Sequence, residues 1–144
     1  MSATISFELI TPDGLKFQEE VYEVVLPTPE GRIAVLPRHT PLITLVVPGV
    51  LMMKRRSTDT ADRVEHVATS GGFAEIDGHR IRLLADTAER ADDIDELKAQ
   101  EALQKAQNLK AENKDQVSLA DATRLIELNT ARLKVAELKR RKRR

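Results

Sequence analysis

The 144-residue chain carries no cysteine and four aromatic side chains, which excludes a disulfide framework and thiolate chemistry; its length fits one domain or a small domain with an appendage. Lysine plus arginine equals aspartate plus glutamate at 23 each, yet the last six residues are all basic, so over 1–138 an acidic body of 23 acidic against 17 basic residues carries a cationic tip. No apolar run approaches the roughly 20 residues that span a bilayer, and MSATISFELI lacks a basic, apolar leader, so a soluble intracellular protein is expected.

Ile5-Ser6-Phe7-Glu8-Leu9 alternates apolar and polar residues, the period of a half-buried strand. Thr11-Pro12-Asp13-Gly14 follows with turn chemistry, proline fixing φ and glycine accepting a positive φ. Further strands are predicted at 21–26, 32–36, 42–47, 49–55, 64–68 and 73–76, and Asp77-Gly78 reads as a hairpin turn into a last strand. Many short strands with frequent turns predict an antiparallel β-sandwich or flattened barrel.

From about residue 91 the apolar period becomes helical. Ile94, Leu97, Ala102, Ala106 and Leu109 share one face, with Asp92 or Asp93 as N-cap. The run ENKDQVS interrupts the pattern. Ser118 then caps a second helix, with Asp121 three residues on; Leu119, Ala122, Ile126, Leu133 and Ala136 form its stripe, widened by Leu125, Leu128 and Val135. Each helix has about 20 residues and spans about 30 Å, and the short break makes the pair an antiparallel hairpin. The expected fold class is α+β, with a β-sandwich domain over 1–88 and a helical hairpin over 89–144. Alanines let helices approach closely but bury little surface, while each ordered residue costs about 1–2 kcal/mol of backbone entropy. The hairpin is therefore expected to lean on the sandwich or on a partner, and to be able to leave either.

His39, His66 and His79 have no metal-ligand spacing, and Gly71-Gly72 runs into Phe73 rather than into a phosphate-binding Lys-Ser. His39, bracketed by Pro37 and Pro41, reads as a loop residue bonded to nearby backbone. No metal, cofactor or catalytic activity is expected. The basic end LKRRKRR leaves a nucleic-acid-binding module as the alternative class; the few aromatics, the acidic body and the lack of a recognised motif weigh against it.

The stretch EGRIAVLPRHTPLIT (30–44) resembles the signature of the epsilon subunit of the F-type ATP synthase. Three more stretches agree in order: PGVL (48–51), SGGFAEIDGHRIRLLADTAERADDID (70–95) and RLKVAELK (132–139). The resemblance implies a rotor subunit with a β-sandwich and a helical hairpin. The sandwich would bind the gamma subunit and stand on the c-ring, and residues 1–88 would suffice for that. It would lie peripherally at the cytoplasmic face of the plasma membrane. The ring contact would fall on Glu30, Gly31, Arg32, Arg38 and His39, grouped at one end of the sandwich, with Pro37 and Pro41 stiffening the loop. Arg32 stands where several relatives are acidic, so a ring loop would need a complementary carboxylate or carbonyl.

The resemblance also implies a brake. Folded down, the hairpin lies on the sandwich, and its cationic tip is expected to gain little there. Extended, it would carry Arg132, Lys134, Lys139, Arg140, Arg141, Lys142, Arg143 and Arg144 to the catalytic alpha and beta subunits and oppose ATP hydrolysis. Some members of the family bind ATP on the folded hairpin through I/L-D-x-x-R-A. Here Ile94, Asp95 and Lys98 occupy that motif and Arg132 is kept on the second helix. Lysine lacks the bidentate fork that grips phosphate, so ATP binding is expected to be weak or absent.

Overall fold

The computed structural model describes residues 3–112 and 115–143. Among these described residues, ten strands form two five-stranded sheets. In chain order they are β1 (Ile5–Thr11), β2 (Gly14–Val21), β3 (Glu23–Thr28), β4 (Gly31–Val35), β5 (Leu42–Val46), β6 (Gly49–Lys54), β7 (Glu65–Thr69), β8 (Gly72–Ile76), β9 (Arg80–Ala85) and β10 (Ala88–Arg90). The first sheet is ordered β2-β1-β9-β8-β5 and the second β10-β7-β6-β3-β4. The expected sandwich is present and antiparallel, except that β1 and β9 pair in parallel.

Period-2 alternation builds the core. β1 turns Ile5, Phe7 and Leu9 inward, and they meet Leu26, Leu51 and Leu83 from other strands, all essentially inaccessible to solvent. Each such side chain contributes about 1.5–3 kcal/mol on full burial. Between β7 and β8 the backbone crowds: a Cβ on Gly71 (φ +91°) would lie 2.6 Å from the Val46 carbonyl oxygen, and one on Gly72 only 1.9 Å from that of Leu84. Only glycine permits this crossing.

Several sequence expectations change. β2 was not foreseen, because GLKFQEEV buries only Val21 fully and presents charges at the sheet edge. β10 adds three residues to the second sheet by pairing with β7 from Ala88 to Arg90, so the expected boundary at 88/89 falls inside a strand. The Asp77-Gly78 hairpin forms, but not by a positive φ at Gly78. Instead Asp77 Oδ1 accepts from the backbone N–H groups of His79 and Arg80, both at 2.8 Å. Those two bonds also hold the Asp77 carboxyl below the usual carboxylate range.

After β10 a 3-10 turn at Ala91–Asp93 leads into α1 (Glu96–Glu112) and α2 (Gln116–Lys142). The caps are not the expected ones. Asp95, not Asp92 or Asp93, starts α1 by accepting from the Lys98 N–H at 3.1 Å. Asp115, not Ser118, caps α2 through the Val117 N–H at 3.3 Å. α2 has 27 residues rather than about 20, about 40 Å of helix, because the basic run complements its C-terminal dipole and lets it continue. An alanine seam (Ala99, Ala106, Ala122) joins the helices, whereas Leu97, Leu109 and Leu125 from the expected stripes stay exposed.

Candidate interaction surfaces

The family-signature stretch straddles β4. At its start Glu30 stands on the turn after β3 and Gly31 and Arg32 open β4, all three exposed, with Gly31 at φ +120° and its carbonyl accepting from Thr28 Oγ1. At its other end Arg38 takes φ +66°, a backbone state that costs a non-glycine residue energy, and its N–H donates to the Gly78 carbonyl at 2.8 Å. The His39 N–H donates to the Leu36 carbonyl at 3.1 Å, and His39 Nδ1 lies 2.7 Å from the Thr40 carbonyl. His39 is thus bonded to backbone, as expected, in a corner pinned to the β8–β9 turn. Gly31 and Arg32 open the five-residue strand β4, and Arg38 and His39 follow its far end.

An apolar row that sequence reasoning missed crosses the outer face of the first sheet. Registers align Leu45 with Phe73, Phe73 with Leu84, Leu84 with Ile10, and Ile10 with Leu15, one residue from each of the five strands. Four spacings of about 4.8 Å make the row about 19 Å long. Leu45, Phe73 and Leu15 are 63%, 48% and 57% exposed, and Ile43 beside them on the edge strand β5 is 75% exposed. Contiguous exposed apolar surface rimmed by charge marks an interaction site; here the rim is the next row, Glu75, Arg82 and Glu8, with Arg82 Nε 3.2 Å from Glu8. The available signal was LITLVV, which is apolar on both faces where a one-sided strand needs only one.

The second sheet carries the hairpin. Leu51 and Val67 point into the sandwich, while their neighbours Val50 and Ala68 meet Ala131 and Val135 of α2, with Ala91 and Ile94 at the edge. This second core is small. Its borders are ionic. Arg132 bonds Glu89 at 2.5 Å and Asn129 Oδ1 at 3.0 Å, and the buried Asn129 donates to the Leu125 carbonyl at 2.8 Å. Of the four residues matching the nucleotide motif, Ile94 is in the small core, Asp95 is committed to the helix cap, Arg132 is paired to Glu89, and Lys98 is exposed.

The root of the hairpin is held by a closed square of charges. Arg55 Nη2 contacts Glu19 at 2.8 Å and Glu65 at 2.6 Å; Arg90 contacts the same two carboxylates at 2.7 and 2.8 Å and stacks 4.4 Å from the centre of the Phe17 ring. Burial pushes the Glu19 carboxyl up, but the hydrogen bonds and charges of Arg90 and Arg55 outweigh it and leave it below its ordinary value. Burial likewise pulls Arg55 down, and Glu65 and Glu19 reverse the sign.

The cationic tip is not solvated throughout. Lys139 pairs with Asp92, Arg140 with Glu96 at 2.8 Å, and Arg141 with Glu137 at 2.5 Å within the helix. Lys142 is half-buried, Lys134 and Arg143 are exposed, and Arg144 lies outside the described residues. Among the described residues no group of three acidic, histidine or cysteine side chains is placed to hold a metal, and no helix is long and apolar enough to cross a membrane.

Residues 4–91 match the family described as ATP synthase, Delta/Epsilon chain, beta-sandwich domain, a match that takes in β10. The ATP synthase epsilon chain of Herpetosiphon aurantiacus is 39% identical over 136 residues, covering 94% of this chain and 96% of that one. This chain belongs to the ATP synthase epsilon family. The epsilon chain of Chloroflexus aggregans is 37% identical, with 97% of each chain covered. The fold is similar to a chain in the cryo-EM structure of the Euglena gracilis mitochondrial ATP synthase, OSCP/F1/c-ring, with a TM-score of 0.75, 24% identity, and 94% of this chain and 82% of that chain covered. A chain in the Tetrahymena thermophila mitochondrial ATP synthase central stalk/c-ring structure has a TM-score of 0.58 at 11% identity, covering 92% of this chain and 98% of that one. As a member of the epsilon family the chain is a non-catalytic subunit, in keeping with the expectation from its histidines and glycines.

Proposed function

We propose that this chain is a rotor subunit of the central stalk, whose sandwich joins the gamma subunit to the c-ring and whose hairpin restrains ATP hydrolysis when extended. The carrying observation is the apolar row Leu45–Phe73–Leu84–Ile10–Leu15 across the outer face of the first sheet. The gamma subunit covers that row. The exposed Glu30–Arg32 turn supplies the ring contact, and the Arg38–His39 corner, at the far end of β4, braces the β8–β9 turn. Through the complex the chain lies peripherally at the cytoplasmic face of the membrane.

The hairpin is suited to leaving. Its contact with the sheet rests on Ala68, Ala131, Val135, Val50 and Ile94, side chains of small or moderate area. Extension frees Arg132 from Glu89 and presents it, with Lys134 and the 139–144 run, to the alpha and beta subunits. ATP binding at Ile94, Asp95, Lys98 and Arg132 is weak, because the aspartate and the arginine have partners within the chain. The nucleic-acid reading gains nothing: Lys139 and Arg140 face carboxylates of their own chain.

The test is binding to purified gamma subunit. Phe73→Glu and Leu45→Glu place charge in the row and should abolish binding while leaving the circular-dichroism melt within a few degrees. Gamma binding that survives both substitutions refutes the assignment of this face. For the ring, a cysteine introduced by Glu30→Cys should cross-link to c subunits in the assembled complex and one introduced by His39→Cys should not; the reverse result overturns the placement.

A further inference from the structure

α2 crosses the outer face of the second sheet from end to end. Asp121, Arg124 and Leu128 border a crevice with Ser70 and Asp86 at one end, while Lys139 and Lys142 reach the segment before β7 at the other. Past Leu138 the helix offers only charged side chains. Those charges meet an acidic rim made by three separate parts of the chain. Lys139 pairs with Asp92 of the 3-10 turn, and Arg140 pairs with Glu96 in the first turn of α1. Lys142 has no carboxylate at ion-pair distance among the described residues, but Glu65 of β7 and the neighbouring Asp62 act on it at longer range. Burial outweighs both carboxylates and pushes its ammonium below the ordinary lysine value, so docking that charge costs free energy and Lys142 serves as a packed stem rather than as a latching cation. It lines two clefts, of about 420 and 390 Å³, that share His66 and Val64 and hold Arg63 and Asp92 in one, Met52 and Leu138 in the other.

We propose that Asp92 and Glu96 form an intramolecular docking surface for Lys139 and Arg140, so that the basic end of α2 latches that helix against the 3-10 turn and the start of α1. Arg141 is excluded, because its partner Glu137 rides on the same helix and moves with it. The latch gives the cations two opposed roles. In the folded state they hold α2 down; only after release do they become available to another surface. The consequence for hydrolysis rests on the function proposed above, but the docking is a property of the isolated chain and is tested there.

The chain has no cysteine, so a single introduced thiol reports local opening. Val135→Cys places it under α2, where 1% of the residue is accessible, and Val24→Cys places it in the sandwich core as the control for global unfolding. Under conditions of rapid reclosing, the thiol-labelling rate tracks the open population even when that population is rare. With each of the two pairs lowering the open population about two- to threefold, K139Q/R140Q should speed labelling at Val135→Cys by about four- to ninefold and leave Val24→Cys unchanged. Arg141→Gln should change neither. Raising salt from 50 to 500 mM should speed the Val135→Cys reaction in the otherwise unaltered chain and hardly at all in the double variant. Asp92→Lys should speed it, and Lys139→Asp added to Asp92→Lys should bring it back. An unchanged rate in the double variant, or an equal acceleration by Arg141→Gln, overturns the latch. A parallel rise at Val24→Cys would overturn it too, by showing that the substitutions loosen the whole chain.

Discussion

Arg90→Met tests whether the charge square at the root of the hairpin holds the sandwich together or merely decorates it. The substitution keeps the apolar stem but removes the guanidinium over Phe17 and two ion pairs, at 2.7 and 2.8 Å, with Glu19 and Glu65. Exposed pairs are worth about 0–1 kcal/mol, whereas truncating one partner of a buried pair costs about 3–5 kcal/mol. Arg90, Glu19 and Glu65 keep 36%, 28% and 25% of their side-chain surface, and Arg55 still faces both carboxylates, so the cost falls between those limits at about 2 kcal/mol. For a cooperative unit of 60–100 residues that lowers the thermal midpoint by about 8–16 °C. Urea titrations of Arg90→Met, Glu19→Gln and the double variant should return a coupling of about 1 kcal/mol. The pH dependence has a definite sign. The folded-state pKa of Glu19 is depressed, so its contribution is present above its unfolded value and is lost as pH falls through the folded one. The gap between Arg90→Met and the unaltered chain should therefore narrow below about pH 4. A loss under about 0.5 kcal/mol, or strictly additive single substitutions, would refute the reasoning.

Gly72→Ala should leave little folded protein by circular dichroism, because its Cβ would fall 1.9 Å from a backbone carbonyl oxygen that β8–β9 pairing fixes in place. His66 should make hairpin docking pH-dependent. Burial lowers its pKa first, and Lys142, Arg32 and Lys134 lower it further against the opposing pull of Glu65. With the docked-state pKa below the undocked one, docking is intact above about pH 6.5 and weakens as protons bind the undocked form. Labelling at Val135→Cys should accelerate from pH 7.5 to 5.5, and His66→Asn should flatten that profile. Millimolar ATP should shift the melting midpoint by less than a degree or two; ligand at 100 times its dissociation constant would add about 2.7 kcal/mol, so a clear rise abolished by Asp95→Ala would show that Lys98 replaces the arginine adequately.

Elements that bury one face declared themselves in the sequence. Ile5, Phe7 and Leu9 alternate because one side of β1 is core, and the change of period near residue 91 marks the hairpin. β2 and β10 were hidden for the opposite reason: one is a charged edge and the other only three residues of pairing. Asp92, Asp93 and Asp95 are chemically equivalent as caps, and only the path of the chain out of β10 selects Asp95. The candidate surfaces were legible in part. Glu30 and His39 stand out as residues near prolines and glycine, but whether they share an end of the molecule depends on β4 lying between them. The apolar row depends on the registers of five strands, and the square of Glu19, Arg55, Glu65 and Arg90 on contacts up to 71 positions apart. Pairings at such separations are set by topology, which local pattern does not encode. The latch was foreseen only as a charge imbalance, because the sequence places the cations on a tip without saying where the tip rests.

The account's central claim is that a non-catalytic sandwich couples the stalk while a detachable hairpin restrains hydrolysis. Its most direct test is ATP hydrolysis and synthesis by the reconstituted complex carrying a chain that ends after Asp93, which keeps β10 and the charge square intact. The account predicts that this shortened chain joins the complex, that proton-driven synthesis persists, and that hydrolysis rises several-fold. A shortened chain that joins the complex and leaves hydrolysis unchanged, or that cannot join it at all, would contradict the account.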